Sequence, residues 1–180
     1  MAEIGFIGLG IMGKPMAGHL LKAGHTVDVY DIVPASVAEL KQQGALACGS
    51  SKEVAGKAGI VFLIVPDTPD VEAALFGKNG VAEGIKPGSI VVDMSSISPI
   101  ATKEFAGKLK AMGVDMLDAP VSGGQVGAQN ATLSIMVGGS VENFERIKPF
   151  FEIMGKNIVH IGGNGDGQTC KVANQIVVAL

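Results

Sequence analysis

The feature that most restricts the fold is a run of three spaced glycines, Gly8-Leu9-Gly10-Ile11-Met12-Gly13, set between two apolar segments of different period. Ahead of it, Ile4 to Ile7 is short and apolar, as a buried strand is. Behind it, Met12, Met16, Leu20 and Leu21 recur at helical spacing up to Gly24. Strand, tight turn and helix in that order put Gly8 where the chain reverses, Gly10 where backbone can approach a ligand, and Gly13 where helix and strand pack closely. Free N–H groups at the helix N-terminus then face the space above the turn and favour an anion there.

The alternation continues along the chain. Thr26–Tyr30 reads as a second strand ended by Asp31, and Pro34 opens a helix that runs to Gly44, so Ile4 to Asp31 is a complete βαβ unit. Further strands are expected at Ile60–Val65, Ser89–Asp93, Asp115–Asp118, Leu133–Val137 and Asn157–Ile161. Helices are expected at about Pro69–Phe76, Ile100–Met112 and Val141–Met154, with a final one from about Gly167. Nearly continuous apolar strands between amphipathic helices predict an α/β, doubly wound, mostly parallel Rossmann sheet. Residues 1–163 form the expected dinucleotide-binding domain. Residues 164–180 are expected to begin a long interdomain helix, because the apolar run Ile176 to Leu180 carries no closing Gly, Asn or basic residue.

In such a sheet, ligands bind beyond the carboxyl ends of the strands. With the preceding strand, the following helix and Asp31 in place, the stretch Gly8, Leu9, Gly10, Ile11, Met12 and Gly13 is read as a dinucleotide cradle. Asp31 is placed to accept the adenosine ribose hydroxyls, and Ile32 and Val33 offer no guanidinium for a 2′-phosphate, so NAD is expected, with NADP as the alternative. A solvated turn acid is the competing reading of Asp31. Ser122, Gly123 and Gly124 follow a strand on the ligand side, where a hydroxyl and glycine N–H groups suit a small carboxylate; a Ser-Gly-Gly segment is more often only a turn, and the residues alone favour that alternative. Lys171 is the one charge between Gln168 and Leu180. Water-excluding surroundings lower the pKa of a lysine, which suits proton transfer near neutral pH, and Asn174 shares its helical face. A lysine reaching from a helix start to solvent is the alternative.

Composition narrows the classes further. A formal net charge of −3 without long runs of one sign gives no footprint for nucleic acid or an anionic membrane, so neither partner is expected. Cys48 and Cys170 are far apart in a chain that opens without a signal peptide, which fits a reducing, cytoplasmic setting. No apolar run reaches the roughly 18 residues needed for a membrane span. His19, His25 and His160 show no metal spacing, and His19 and His25 are expected to be exposed near a helix end. No metal site, Ser/His/Asp arrangement or Walker loop is read.

Together these segments resemble the β-hydroxyacid dehydrogenase family over essentially all 180 residues. Besides the glycine turn, the resemblance runs through Val65-Pro66, Asp93-Met-Ser-Ser-Ile-Ser-Pro99, Asp118 to Gly124, Thr132-Leu-Ser-Ile-Met-Val-Gly-Gly139 and Gly165-Asp-Gly-Gln-Thr-Cys-Lys171-Val-Ala-Asn174. It implies Lys171 as catalytic acid and base, with Asn174 as the neighbour that helps hold substrate and lysine. It implies Ser122, Gly123 and Gly124 as the substrate-carboxylate site, and Val65, Pro66 and Ser96 as cofactor-lining; the family often has Thr at the position of Ser96. The implied reaction passes a hydride between NAD(P)(H) and a small β-hydroxyacid or its semialdehyde. Asn174-Gln175, in place of Asn-Asn, looks more like the tartronate semialdehyde reductase branch than the 3-hydroxyisobutyrate dehydrogenase branch, which is the alternative. A non-catalytic dinucleotide-binding module is the reading from another class. The resemblance also implies an all-helical second half that closes the cleft and builds a homo-oligomer, so the 180 residues alone are expected to bind NAD weakly and turn over little.

Overall fold

A computed structural model describes residues 1–179; Leu180, the last residue of the expected interdomain helix, lies outside the described residues. The first half contains β1 (Glu3–Ile7), α1 (Gly13–Lys22), β2 (Thr26–Tyr30), α2 (Pro34–Gln42), β3 (Leu46–Ala47), α3 (Ser51–Lys57), β4 (Ile60–Leu63) and α4 (Thr68–Phe76). After a 3-10 turn at Val81–Glu83 come β5 (Ile90–Asp93), α5 (Pro99–Ala111), β6 (Asp115–Asp118), β7 (Val121–Ser122) and α6 (Gly124–Gln129). The chain continues with β8 (Leu133–Gly138), α7 (Val141–Met154), β9 (Gly155–Gly162) and α8 (Asp166–Ala179).

The strands lie in the order β3-β2-β1-β4-β5-β6-β8-β7, with β9 paired to β8. All pairs from β3 to β6 are parallel, as is β8 with β9; β8 runs antiparallel to β6 and β7. The expected mostly parallel, doubly wound sheet is thus observed. From β1 the chain winds outward to β2 and then crosses back to β4, so a crevice opens above the carboxyl ends of β1 and β4.

Covering both faces explains why the strands are apolar throughout. On one face Phe6, Phe62, Val92 and Leu117 pack beneath Met16 and Leu20 of α1 and Ile147 and Phe151 of α7. On the other, Val61, Leu63, Val91 and Met116 meet Val54 of α3, Leu75 of α4, and Phe105 and Leu109 of α5. Adjacent strand residues alternate between the two cores because the pleat turns successive side chains to opposite sides. Each fully buried Leu, Ile or Phe contributes about 1.5–3 kcal/mol, so these two layers hold the crevice rigid.

Several elements differ from expectation. β4 ends at Leu63 and not at Val65, because the Val65 N–H leaves the ladder to donate to the Ser95 hydroxyl at 3.0 Å, and Pro66 has no N–H to continue it. The strands β3 and β7 and the helices α3 and α6 were not anticipated. Two-residue strands carry no periodicity, and Gly124 to Gln129 is too glycine-rich to read as helix. For α3 a signal existed: Ser50 Oγ accepts the Glu53 N–H at 3.1 Å, and Glu53 returns to accept from Gly49 N–H at 2.7 Å, a variant of the capping box. His19 and His25 are part-buried and not exposed. His19 Nε2 reaches the carbonyls of Ala128 and Gln129 on α6, and His25 packs on Phe150.

Candidate active site

The glycine turn separates three jobs by geometry. Gly8 has φ +89°, and a Cβ there would fall onto the Ile64 carbonyl oxygen. A Cβ on Gly13 would fall onto the Gly8 carbonyl oxygen, so Gly13 lets α1 start against the turn. Gly10 is different, since a Cβ there meets nothing within 4 Å. Fold packing therefore leaves the space over Gly10 open, as a cradle for an approaching group requires.

Asp31 ties the end of β2 to this turn. Its carboxylate accepts the Leu9 N–H at 2.5 Å and the Val33 N–H at 2.7 Å. Two carboxylate oxygens offer about four acceptor positions, so capacity remains for ligand hydroxyls. Leu9 itself is wholly buried and contributes its N–H, whereas Ile11 stands exposed at the rim. A cleft of about 650 Å³ is bordered by Gly8, Gly10, Met12, Asp31, Val65 and Pro66, among others. That size is within the usual range for a small-molecule site.

A second cavity of about 560 Å³ shares Met12, Ile64, Val65 and Pro66 with the first, so the two form one groove over the sheet. Its further walls are Ser96, Ser122, Gly123, Gly124, Lys171 and Gln175. Residues separated by more than 100 positions in sequence thus meet at one opening. Ser122 ends β7 and Gly124 opens α6, so this segment is a strand-to-helix junction, not a free loop.

Lys171, one turn into α8, donates to Gln175 Oε1 at 2.6 Å. Partial burial holds its pKa below the usual lysine value. Asn174 is not on the cavity wall among the described residues; its Nδ2 donates to the same Gln175 oxygen at 3.1 Å and reaches the lysine only through it. Gln175, which sequence reasoning used only as a branch marker, is the lysine's direct partner.

The start of α8 is anchored from below. The buried Asp118 carboxylate at the end of β6 accepts the N–H of Gly165 at 2.8 Å and of Gln168 at 3.0 Å. Burial pushes its pKa up, and these two N–H groups oppose that shift. Beside it in register stands Asp93 at the end of β5, fully buried, with one oxygen accepting the Ser95 N–H at 2.9 Å and the other unpaired. Burial pushes Asp93 up to about 7. Cys48 and Cys170 are free thiols, and burial raises Cys48 to about 11, far from nucleophilic. Among the described residues, no three His, Cys, Asp or Glu side chains are grouped to hold a metal, and no helix is long and apolar enough to cross a membrane.

A Rossmann sheet with an open glycine cradle, an acid at the second strand and one continuous groove defines a dinucleotide-binding domain. A family model for the NAD binding domain of 6-phosphogluconate dehydrogenase matches residues 3–162, and the chain belongs to that family. It is 57% identical over 178 residues to 2-hydroxy-3-oxopropionate reductase of Escherichia coli (strain K12), covering 99% of this chain and 61% of that protein. It is 41% identical over 180 residues to 3-hydroxyisobutyrate dehydrogenase of Pseudomonas aeruginosa, covering 100% of this chain and 60% of that protein. A solved structure of Mycobacterium tuberculosis 3-hydroxyisobutyrate dehydrogenase with L-serine superposes with a TM-score of 0.94 at 36% identity, over 99% of this chain and 60% of that one. The chain thus spans about 60% of the length of these relatives. The resemblance to β-hydroxyacid dehydrogenases stands, and NAD is the cofactor class of the domain.

Proposed function

We propose that the protein containing this chain reduces a short semialdehyde carboxylate, 2-hydroxy-3-oxopropionate, with NADH, and runs the reverse oxidation of the hydroxyacid. The observation that carries this reading is the single groove that has the glycine cradle at one end and Lys171, Ser122 and Gly124 at the other. The 57% identity to a 2-hydroxy-3-oxopropionate reductase supports the choice of substrate.

When bound, NADH supplies the two electrons and the hydrogen that reduce the carbonyl carbon. The N–H groups around Gly10 to Gly13 hold the pyrophosphate, Asp31 holds the ribose hydroxyls, and Val65, Pro66 and Ser96 line the nicotinamide end. The Ser122 hydroxyl and the N–H groups of Gly123 and Gly124 hold the substrate carboxylate. Lys171 as ammonium polarises the carbonyl and gives its proton to the forming alkoxide; as neutral amine it takes that proton back in oxidation. Asn174 supports the lysine through Gln175.

In this reading residues 1–163 are the nucleotide domain, and residues 164–180 begin a helix leading to an all-helical domain that closes the groove and builds a homo-oligomer in the cytoplasm. Exposed Val172, Ile176, Val177 and Val178 on α8 support such a covering surface. The second reading, 3-hydroxyisobutyrate oxidation, has the 41% identity and the 0.94 superposition in its favour. A panel of both substrates with NADH and NADPH, run on the full-length protein and its Lys171→Ala variant, tests the proposal. Preferred turnover of 2-hydroxy-3-oxopropionate with NADH, lost in the variant with NADH affinity kept, is expected. Full turnover by the variant overturns the role of Lys171.

A further inference from the structure

Gln168 is buried at the first turn of α8, and every polar atom of its side chain is used on backbone. Oε1 accepts the Ile97 N–H at 3.1 Å, and Nε2 donates to the Ser95 carbonyl at 2.8 Å. Its own N–H is the one taken by Asp118. The Ser95 hydroxyl oxygen in turn accepts the Val65 N–H, at 3.0 Å. The segment from Ser95 to Ile97 carries Ser96 on the groove wall, and Val65 lies on the same wall. Lys171 is three residues beyond Gln168, hence on the same side of the helix. An unbroken set of hydrogen bonds therefore runs from Val65 through Ser95 and Gln168 into the helix that bears the amine.

We propose that Gln168 is a positioning residue that sets the distance between Lys171 and the cofactor wall by clamping α8 to the Ser95–Ile97 segment. This rests on the assignment of Lys171 as the proton donor. An amide is the group the clamp needs, since it presents a donor and an acceptor side by side and carries no charge into the core. Leucine or methionine fills the volume but leaves the Ser95 carbonyl and Ile97 N–H unpaired. A glutamate accepts from Ile97 but, when ionised, sets an oxygen against the Ser95 carbonyl. Only its protonated form restores the donor.

The experiment uses the full-length enzyme with wild type, Gln168→Met, Gln168→Glu and Lys171→Ala. For Gln168→Met, kcat falls about ten- to hundredfold, as a small misplacement of reacting groups does. NADH affinity stays within about twofold, since the cradle is untouched, and the isotope effect with 4-deuterated NADH rises as the chemical step becomes limiting. For Gln168→Glu, kcat relative to wild type at the same pH recovers as pH falls and the carboxyl gains its proton. A kcat within about twofold of wild type for Gln168→Met, with Lys171→Ala inactive, overturns the positioning role. If the Met variant does not fold, a folded Gln168→Glu whose relative kcat is flat with pH overturns it as well. Activity surviving in Lys171→Ala instead strikes the assignment of the lysine, a separate outcome.

Discussion

The carboxylate of Asp118, at the end of β6, accepts the backbone N–H of Gln168, at the first turn of α8, at 3.0 Å. With the Gly165 N–H it closes the start of the helix that carries Lys171. A carboxylate at a helix N-terminus satisfies free N–H groups and complements the positive end of the dipole. A residue of the Asp118 to Gly124 motif thus serves the site from beneath without lining the groove. Asp118→Ala leaves both N–H groups buried and unpaired, so urea unfolding is expected to show a loss of about 2–3 kcal/mol, with a smaller loss for Asp118→Asn.

Two of the three glycines of the turn, Gly8 and Gly10, are expected to separate in mutagenesis. Gly8→Ala puts a side chain at φ +89° and onto the Ile64 carbonyl, and denaturant unfolding is expected to show a loss of about 3 kcal/mol or more. Gly10→Ala keeps its stability within about 0.5 kcal/mol, because nothing lies within 4 Å of the added carbon. Its cost falls on the ligand: titration of the full-length protein with NADH shows affinity reduced about tenfold or more, since the methyl occupies the pyrophosphate's approach.

In the proposed mechanism, the lowered pKa of Lys171 gives opposite pH profiles for the two directions. Reduction needs the ammonium, so its kcat/KM is full below the shifted pKa and falls as pH rises through it, at a break below the ordinary lysine value of 10.5. Oxidation needs the neutral amine and rises through the same break. Lys171→Arg, whose guanidinium keeps its proton, is expected to remove the rising limb of oxidation.

Asp93 makes the fold sensitive to pH. Its pKa is raised from 3.8 to about 7 by burial, so the folded chain holds the proton over a range in which the unfolded chain releases it. Stability is therefore full at low pH with respect to this group and declines as pH rises from about 4 to about 7, with no further loss above. Asp93→Asn keeps an acceptor for the Ser95 N–H and has no such titration. Its stability relative to wild type is expected to rise by up to about 4 kcal/mol between pH of about 4 and about 8, measured by denaturant unfolding at each pH.

Much of the frame was legible along the chain. The limits of β2, β6 and α7 are those read from Thr26–Tyr30, Asp115–Asp118 and Val141–Met154, because length, apolar runs and Pro or Gly punctuation act locally. Weak elements escaped: the two-residue β7 is defined by its pairing with β8, and α6 lies against α1, where the carbonyls of Ala128 and Gln129 meet His19 Nε2. The spacing of three residues also predicts Asn174 beside Lys171, whereas one more residue, at Gln175, brings the amide within 2.6 Å. Both positions share a helical face, and which one meets the amine depends on how α8 is turned against the sheet.

The order of strands and helices, the glycine turn and the acid after β2 are properties of neighbouring residues, whose spacing follows from backbone geometry alone. Bringing Val65, Ser96, Ser122 and Lys171 to one groove is not of that kind, nor is the use of Asp118 as an anchor for α8 or of Gln168 as a bridge to Ser95. These depend on contacts far apart in sequence, the Gln168–Ser95 bond alone spanning 73 positions. Such contacts form only after burial of the two apolar cores has fixed where each strand ends and how each helix lies upon it.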